Sequence, residues 1–488
     1  MTDPVLDAVI IGAGAGGLIA GHQLKRRGFD NFVILERLDG VGGTWRVNTY
    51  PGAGCDVPSH LYSFSFAPKA DWSAVYSRQP EILEYLEDTT TKLGLRPHLR
   101  LNTEVAQARF DESTSCWHVV TKAGERFVAR NLIVSVGQLT DPVVPKLPGL
   151  EDFRGKVFHS ARWDHGFDLR DKNVAVVGTG ASAIQFIPPV AEVVRQLSVF
   201  QRSPNWIIKR RDRAYTPFEK KVFARVPLAR RAYRALIYWG MEATTPGFHG
   251  APGFQWFIKY TAGKYLRRRV KSEELRAKLT PDYPAGCKRI LISDDYYSAL
   301  TRPNVDLIVD GIARVTADGL VTTAGRTVPA DAIIFGTGFE STGFVRPLPI
   351  VGRNGLPLAE AWKGGAEAHL GITVAGFPNL YLLYGPNTNL ANNSIIFMLE
   401  AQANYILRLL TAARSRGWRA VEVRAEVMAR FNAALQGELG HTVWTRCRNW
   451  YQAGGSGRIV NNWSYGAARY WWRTRRPRLR DFAITRGR

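Results

Sequence analysis

Two glycine-rich turns carry the first recognisable chemistry in this chain of 488 residues. The first, GAGAGG at 12–17, follows the apolar run LDAVII at 6–11. Such a continuous run predicts a strand buried on both faces of a parallel sheet, and a helix is expected from the turn to about Arg27. Gly12 permits a tight turn, Gly14 lets the backbone approach a pyrophosphate, and Gly17 lets helix and strand pack closely. The helix start offers free N–H groups and a positive dipole end to phosphate. A second strand, 32–35, runs into Glu36. A carboxylate about 20 residues past the glycines is placed to accept hydrogen bonds from ribose hydroxyls. Its charge would repel a ribose 2′-phosphate, so this site suits FAD or NAD better than NADP.

The second turn, GTGASA at 178–183, supplies Gly178, Thr179, Gly180 and Ser182 after an apolar strand at 174–177. Ala183 stands where the third glycine would be, a change that helix–strand packing tolerates. The following strand, 197–200, leads into Gln201-Arg202-Ser203 and not into an acid. Arg202 there can pair with a 2′-phosphate, selecting NADP over NAD, and Lys288 adds a second positive charge. FAD with NADPH means hydride transfer from nicotinamide to flavin. Two further loops, GVGGTW at 40–45 with Thr44 and Trp45, and YPGAGCD at 50–56, suit close contact between backbone and a flat ring. On its own, Asp56 reads as a turn or cap residue.

Between the two turns lies FRGKVFHSARWD at 153–164. This segment resembles the fingerprint of the Baeyer–Villiger monooxygenases, Phe-x-Gly-x-x-x-His-x-x-x-Trp followed by Pro or Asp. Phe153, Gly155, His159, Trp163 and Asp164 fill every position. The resemblance extends over nearly the whole chain through YPGAGCDVPSHLYSFSF, QRSPNW, GCKRI, GTGF and YGPNTNL. It implies an enzyme that uses FAD, NADPH and O2 to insert one oxygen next to a ketone carbonyl, giving an ester or lactone through a peroxyflavin and a tetrahedral adduct.

By the same resemblance Arg289 in GCKRI is the catalytic arginine and Asp56 the aspartate that holds it. A guanidinium keeps its charge at every working pH and offers fixed donors to an oxyanion. Lys288, Arg202 and Ser203 fall at the NADP 2′-phosphate, and Gln138 lies near the NADP. Gly12, Gly14, Gly17, Glu36, Arg37, Thr44, Trp45, Asp56, Tyr62 and Val105 are the expected FAD side. His159 is assigned a hinge or docking role, and Trp163 a packing anchor. Leu390 and Asn392, in the 390–394 loop, are the candidate substrate neighbours. Gly54 stands where relatives carry a side chain and is expected to open space near the flavin. Gly336 in GTGF replaces the usual Ala, and RCRNWY at 446–451 is a variant of a stretch that folds over the substrate. Two other readings are an N- or S-oxygenating flavin monooxygenase, and a basic nucleic-acid or membrane binding protein with a vestigial flavin fold.

These residues require an α/β protein with two dinucleotide-binding (Rossmann-like) domains and a helical insertion. The expected layout is an FAD domain at 1–147 and 343–488, the latter with a C-terminal segment covering the substrate. The NADP domain is expected at 148–208 and 283–342. The insertion, 209–282, is basic, and Pro227 interrupts its clearest helical segment. Hydrophobic content of 45% with 22% charged residues fits an ordinary globular protein with ample core. The formal net charge is +23, but no nucleic-acid-reading motif accompanies the arginines. The charge is therefore assigned to solvated surface and cofactor phosphates, nucleic acid is excluded as a partner, and membrane contact is a secondary reading. The 4 cysteines are far apart with no CxxC. That argues against a metal site and for reduced thiols in the cytoplasm. The start lacks the pattern of a signal peptide, and no apolar run nears the roughly 20 residues of a membrane span. The particular ketone and the oligomeric state are not written in the sequence.

Overall fold

The computed structural model describes residues 5–345, 348–455 and 457–487. Residues 1–4, where the reading of a leaderless start begins, lie outside them.

The flavin-side sheet is built around the strand Leu6–Ile11, which pairs in parallel with Phe32–Leu35 on one side and Arg126–Val134 on the other. Its alternate residues feed two different cores. Ala8 and Ile10 pack with the helix Ala15–Arg26, while Val9 and Ile11 pack with Trp117 and Leu382. Both faces are covered, which is why the sequence shows an unbroken apolar run. Parallel strands Leu99–Arg100 and Leu380–Leu382 extend the sheet, and the antiparallel pair Val105–Asp111 and Cys116–Thr121 continues it past Arg126–Val134. The strand Leu380–Leu382 comes from late in the chain, so the C-terminal part returns to the first sheet.

The second sheet has five parallel strands in the order Val305–Ile308, Gln196–Phe200, Asn173–Val177, Ala332–Phe335, Lys156–His159. The two sheets are joined by two connectors that bind each other. Val143 N–H donates to the Gly338 carbonyl at 3.0 Å and Glu340 N–H to the Asp141 carbonyl at 2.9 Å.

The insertion is helical, with Pro217–Arg225, Pro227–Glu242, Pro252–Arg269 and Glu273–Leu279. Pro227 sits in the first turn of its helix, where its missing N–H costs nothing. The short parallel pair Ile207–Ile208 with Leu291–Ile292 brings the two ends of the insertion together.

One helix, Ile395–Ser415, is long and apolar enough to cross a membrane by length and composition, but most of it is buried in the flavin-side core. The expectation of four reduced thiols needs correction. Cys287 and Cys447 form a disulfide across 160 residues of sequence, and only Cys55 and Cys116 are free. Sequence distance hid the pairing, because the fold lays the C-terminal segment against GCKRI. The cysteine argument for a reducing compartment falls with it.

Candidate active site

The first turn has the tightness its glycines imply. Gly12 has φ +99°, and a Cβ there would lie 2.5 Å from the Ser135 carbonyl oxygen. A Cβ on Gly17 would lie 1.9 Å from the Gly12 oxygen, so helix and strand leave no room for a side chain. Gly14 faces Gly43 of the GVGGTW loop with neither carrying a side chain, which leaves open backbone of the kind a pyrophosphate needs. The buried Glu36 carboxylate accepts from Ala13 N–H at 2.7 Å and Leu38 N–H at 3.0 Å. Each of its oxygens keeps a second lone pair for a ribose hydroxyl. Thr44 opens the short helix Thr44–Val47, and Trp45 Nε1 donates to the Tyr62 hydroxyl at 3.2 Å. Val105 starts its strand half-buried and Arg37 is exposed. These residues fit a flavin dinucleotide.

The second turn is set by Gly178, at φ +107° against the Gly336 carbonyl. Gly336 explains the missing third glycine. A Cβ added at Gly336 would lie 3.0 Å from the Ala183 Cβ, so the methyl of Ala183 uses space that Gly336 leaves free. The Thr179 carbonyl accepts from Asn205 Nδ2 at 2.8 Å, and Ser182 immediately precedes the helix Ala183–Val193, two residues on from Gly180. Lys288 Nζ donates to Ser203 Oγ at 2.8 Å. Burial, then the nearby charge of Arg202, lowers the Lys288 pKa. Two cations held beside a hydroxyl, one disfavoured by the other, suit a dianionic phosphate.

The centre joins the two sides. Asp56, from the flavin-side loop, accepts from Arg289 Nε at 3.0 Å and Nη2 at 2.6 Å, both on Oδ2. The Asp56 charge pushes the Arg289 pKa further up. One edge of the guanidinium is docked, while Nη1 makes no hydrogen bond to the described residues. Gln138 is buried, donates from Nε2 to the Tyr384 carbonyl at 3.1 Å, and leaves Oε1 without a partner among the described residues. Such an orphaned acceptor fits the carboxamide-bearing cofactor expected there.

Three residues here were not singled out from the sequence. Tyr384, in YGPNTNL, has φ +61° and donates its hydroxyl to Asn389 Oδ1 at 2.8 Å. Tyr451, in RCRNWY, is fully buried, and burial pushes its phenol up to about 12 while the Arg289 charge pulls the other way. Gln185 clasps the two sides: its Oε1 accepts from the Tyr50 hydroxyl at 3.0 Å and Gly54 N–H at 3.2 Å, and its Nε2 donates to the Gly54 carbonyl at 3.0 Å. The two tyrosines lay within motifs already marked, but nothing in Gln185's surroundings distinguishes it from a surface helix residue.

Gly54 does not open space as expected. A Cβ there would lie 3.1 Å from the Ser77 carbonyl oxygen and 3.3 Å from Arg78 Cδ, so the glycine serves close packing. In the fingerprint, Phe153 lies in the core below the second sheet, and a Cβ on Gly155 would meet the Asp331 carbonyl at 2.4 Å. His159 is buried against Phe339 of the second connector, with ring centroids 5.6 Å apart, and its Nδ1 accepts from Ala161 N–H. Burial lowers its pKa to about 4, so the ring is neutral. Trp163 packs on Phe158 and Phe186, and Asp164 pairs with Lys156 at 2.7 Å.

Leu390 is buried in the flavin-side core. Asn392 donates to the Met241 carbonyl and Thr244 Oγ1, both at 2.8 Å, tying its loop to the insertion. Neither lines the open cleft of about 620 Å³ bordered by Trp239, Pro246, His249, Tyr465 and Arg469. Among the described residues no cluster of three or more His, Cys, Asp or Glu could hold a metal.

Residues 7–243 match the family model for flavin-binding monooxygenase-like proteins. A Baeyer-Villiger monooxygenase of Pseudomonas aeruginosa is 44% identical over 456 residues, covering 93% of this chain and 86% of its own. Steroid monooxygenase in its oxidized form bound to NADP aligns with a TM-score of 0.89 at 30% identity, over 99% of this chain and 100% of that one. OTEMO in complex with FAD and NADP aligns with a TM-score of 0.89 at 27% identity, over 99% and 100%. With both dinucleotide sites and the arginine between them in place, the chain belongs to the Baeyer–Villiger monooxygenases, FAD- and NADPH-dependent enzymes that use O2 to insert one oxygen next to a ketone carbonyl.

Proposed function

We propose that Arg289, oriented by Asp56, is the catalytic cation of this enzyme. The observation that carries this reading is the 2.6 Å ion pair between the flavin-side loop and the NADP-side GCKRI segment. When bound, NADPH supplies the hydride and FAD the means of activating O2. The chain's own part is electrostatic. Arg289 offers its undocked N–H donors to negative charge developing on the substrate carbonyl oxygen, and Asp56 fixes the direction in which they point. Fixed donors in a partly dry site need no reorganisation as charge develops. Arg202, Lys288 and Ser203 would hold the 2′-phosphate, Gln138 would meet the NADP, and Glu36 would bind the ribose in the adenosine half of FAD.

The layout follows from this reading: an FAD domain at 1–147 and 343–488, an NADP domain at 148–208 and 283–342, and the 209–282 insertion beside the substrate entrance. His159, against Phe339, holds the second connector in place, Trp163 anchors the strand Lys156–His159 on the helix Ala183–Val193, and neither takes part in proton transfer. The substrate is a small-molecule ketone, and the open cleft bordered by Trp239 and Tyr465 supports an entrance beside the insertion. NADPH oxidation over cyclic, linear and aryl ketones under 18O2, with product mass spectra, tests the assignment. One labelled oxygen in an ester or lactone is expected, and Arg289→Lys should lower ester formation about 100-fold while leaving NADPH affinity within a factor of two. Wild-type ester formation by that variant would refute the role of Arg289.

A further inference from the structure

The insertion carries apolar residues on the wrong face. On the helix Pro227–Glu242, Tyr233, Ile237, Tyr238 and Met241 pack against the flavin-side core. On the opposite side Leu228, Ala232, Ala235, Leu236 and Trp239 follow the i, i+4, i+7, i+8, i+11 spacing of a single stripe and are all exposed. Leu228 is 73% and Leu236 70% exposed. The next helix, Pro252–Arg269, repeats the arrangement. Ile258, Ala262, Tyr265 and Leu266 are buried, while Trp256, Phe257 and Tyr260 face outward, with Trp256 at 66% exposure. Trp256 and Tyr260 stack at 5.3 Å, and Lys264 lies over the Tyr260 ring. A third helix, Ala467–Thr474, starts on the Glu242 carboxylate, which accepts from Ala467 and Ala468 N–H, and it exposes Trp471 and Trp472.

Single exposed apolar side chains are ordinary, but an ordinary surface helix turns a polar face outward. Successive apolar stripes mark a contact surface. The charge around them indicates the partner. From Pro217 to Arg269 there are 11 Lys and Arg against 2 Glu. Both acids are engaged, Glu219 by Arg213 and Glu242 by the third helix. Tryptophan and tyrosine among lysine and arginine is the composition of a lipid interface, where aromatic rings sit at headgroup level and long basic side chains reach phosphate. A second copy of this chain, with net charge +23, would bring like charges together.

We infer that this aromatic and basic face of the insertion docks on an anionic lipid surface. Trp239 belongs both to the exposed stripe and to the rim of the open cleft, so a docked protein holds that cleft at the lipid boundary. The inference does not depend on the role of Arg289.

The test uses the full-length, FAD-loaded protein and vesicles of phosphatidylcholine, with and without about 30 mol% phosphatidylglycerol. Co-sedimentation is expected with the anionic vesicles at about 50 mM salt, not with the neutral ones, and should fall away at about 0.5 M. Trp256→Ser with Phe257→Ser should weaken it at least about fivefold without changing NADPH oxidation on a water-soluble ketone. Lys264→Glu with Arg268→Glu, a pair that buries nothing, should abolish it. Failure to bind anionic vesicles, or unchanged binding by either double variant, overturns the inference. So does a dimer in light scattering that the Trp256/Phe257 variant dissociates.

Discussion

Lys288 donates to Ser203, and its pKa is lowered by burial and then by the charge of Arg202, so the pair favours an anionic group. That arrangement gives a residue-scale prediction. Arg202→Ala should raise the KM for NADPH about 10- to 100-fold and leave that for NADH nearly unchanged, as expected for loss of a charge-assisted phosphate contact. Steady-state kinetics with both coenzymes check it, and an equal effect on the two would remove Arg202 from the phosphate site. Arg202 was legible from its place after a strand, where the first site has Glu36. The roles of Tyr384 and Tyr451 were not, because they come from proximity to the Arg289 charge in the fold, which periodicity does not report. The two cysteines behave alike in this respect. Cys287 and Cys447 look isolated at a separation of 160 residues and become partners only when the C-terminal segment is laid on GCKRI.

At the scale of elements, the strand–turn–helix units could be read almost to the residue. Strand Phe32–Leu35 falls where it was expected, and helix Ala15–Arg26 stops one residue short of the expected end. Continuous apolar runs and glycine turns are local signals. The contacts between units are not local. Gln185 clasps Tyr50 and Gly54 of the other side, and the reading of Gly54 as open space failed because Ser77 and Arg78 fold over it. The exchange between Ala183 and Gly336 is equally non-local and can be tested. Gly336→Ala places two methyl carbons about 3.0 Å apart and should cost about 1–3 kcal/mol of stability. Adding Ala183→Gly should recover most of the loss, a coupling that denaturant unfolding of both singles and the double would measure. Additive losses would mean that the two positions do not share that space.

Across the whole molecule, four histidines share one electrostatic behaviour. Burial lowers His22, His60, His159 and His369 from 6.5 to about 4. Their folded state therefore binds fewer protons than the unfolded chain between those values. Stability contributed by the neutral rings is complete above pH 6.5 and is lost as pH falls towards 4. Unfolding midpoints measured from pH 7.5 to 4.5 should hold steady and then decline below about 6.5, and a midpoint that rises on acidification would contradict these burials. The disulfide acts at the same scale. Cys447→Ser should lower stability by about 2–4 kcal/mol, and peptide mapping without reductant should recover Cys287 joined to Cys447.

The Arg289–Asp56 ion pair crosses between the two dinucleotide sides and sets the direction of the guanidinium. Its most direct test separates the two halves of the reaction in Arg289→Ala by rapid mixing. Anaerobic mixing with NADPH measures flavin bleaching, and mixing the reduced enzyme with O2 and ketone measures ester formed per NADPH consumed. Bleaching should stay within about tenfold of wild type while ester yield falls by about 100-fold or more. Ester formation at the wild-type yield, or loss of FAD reduction alone, would contradict the assignment of Arg289.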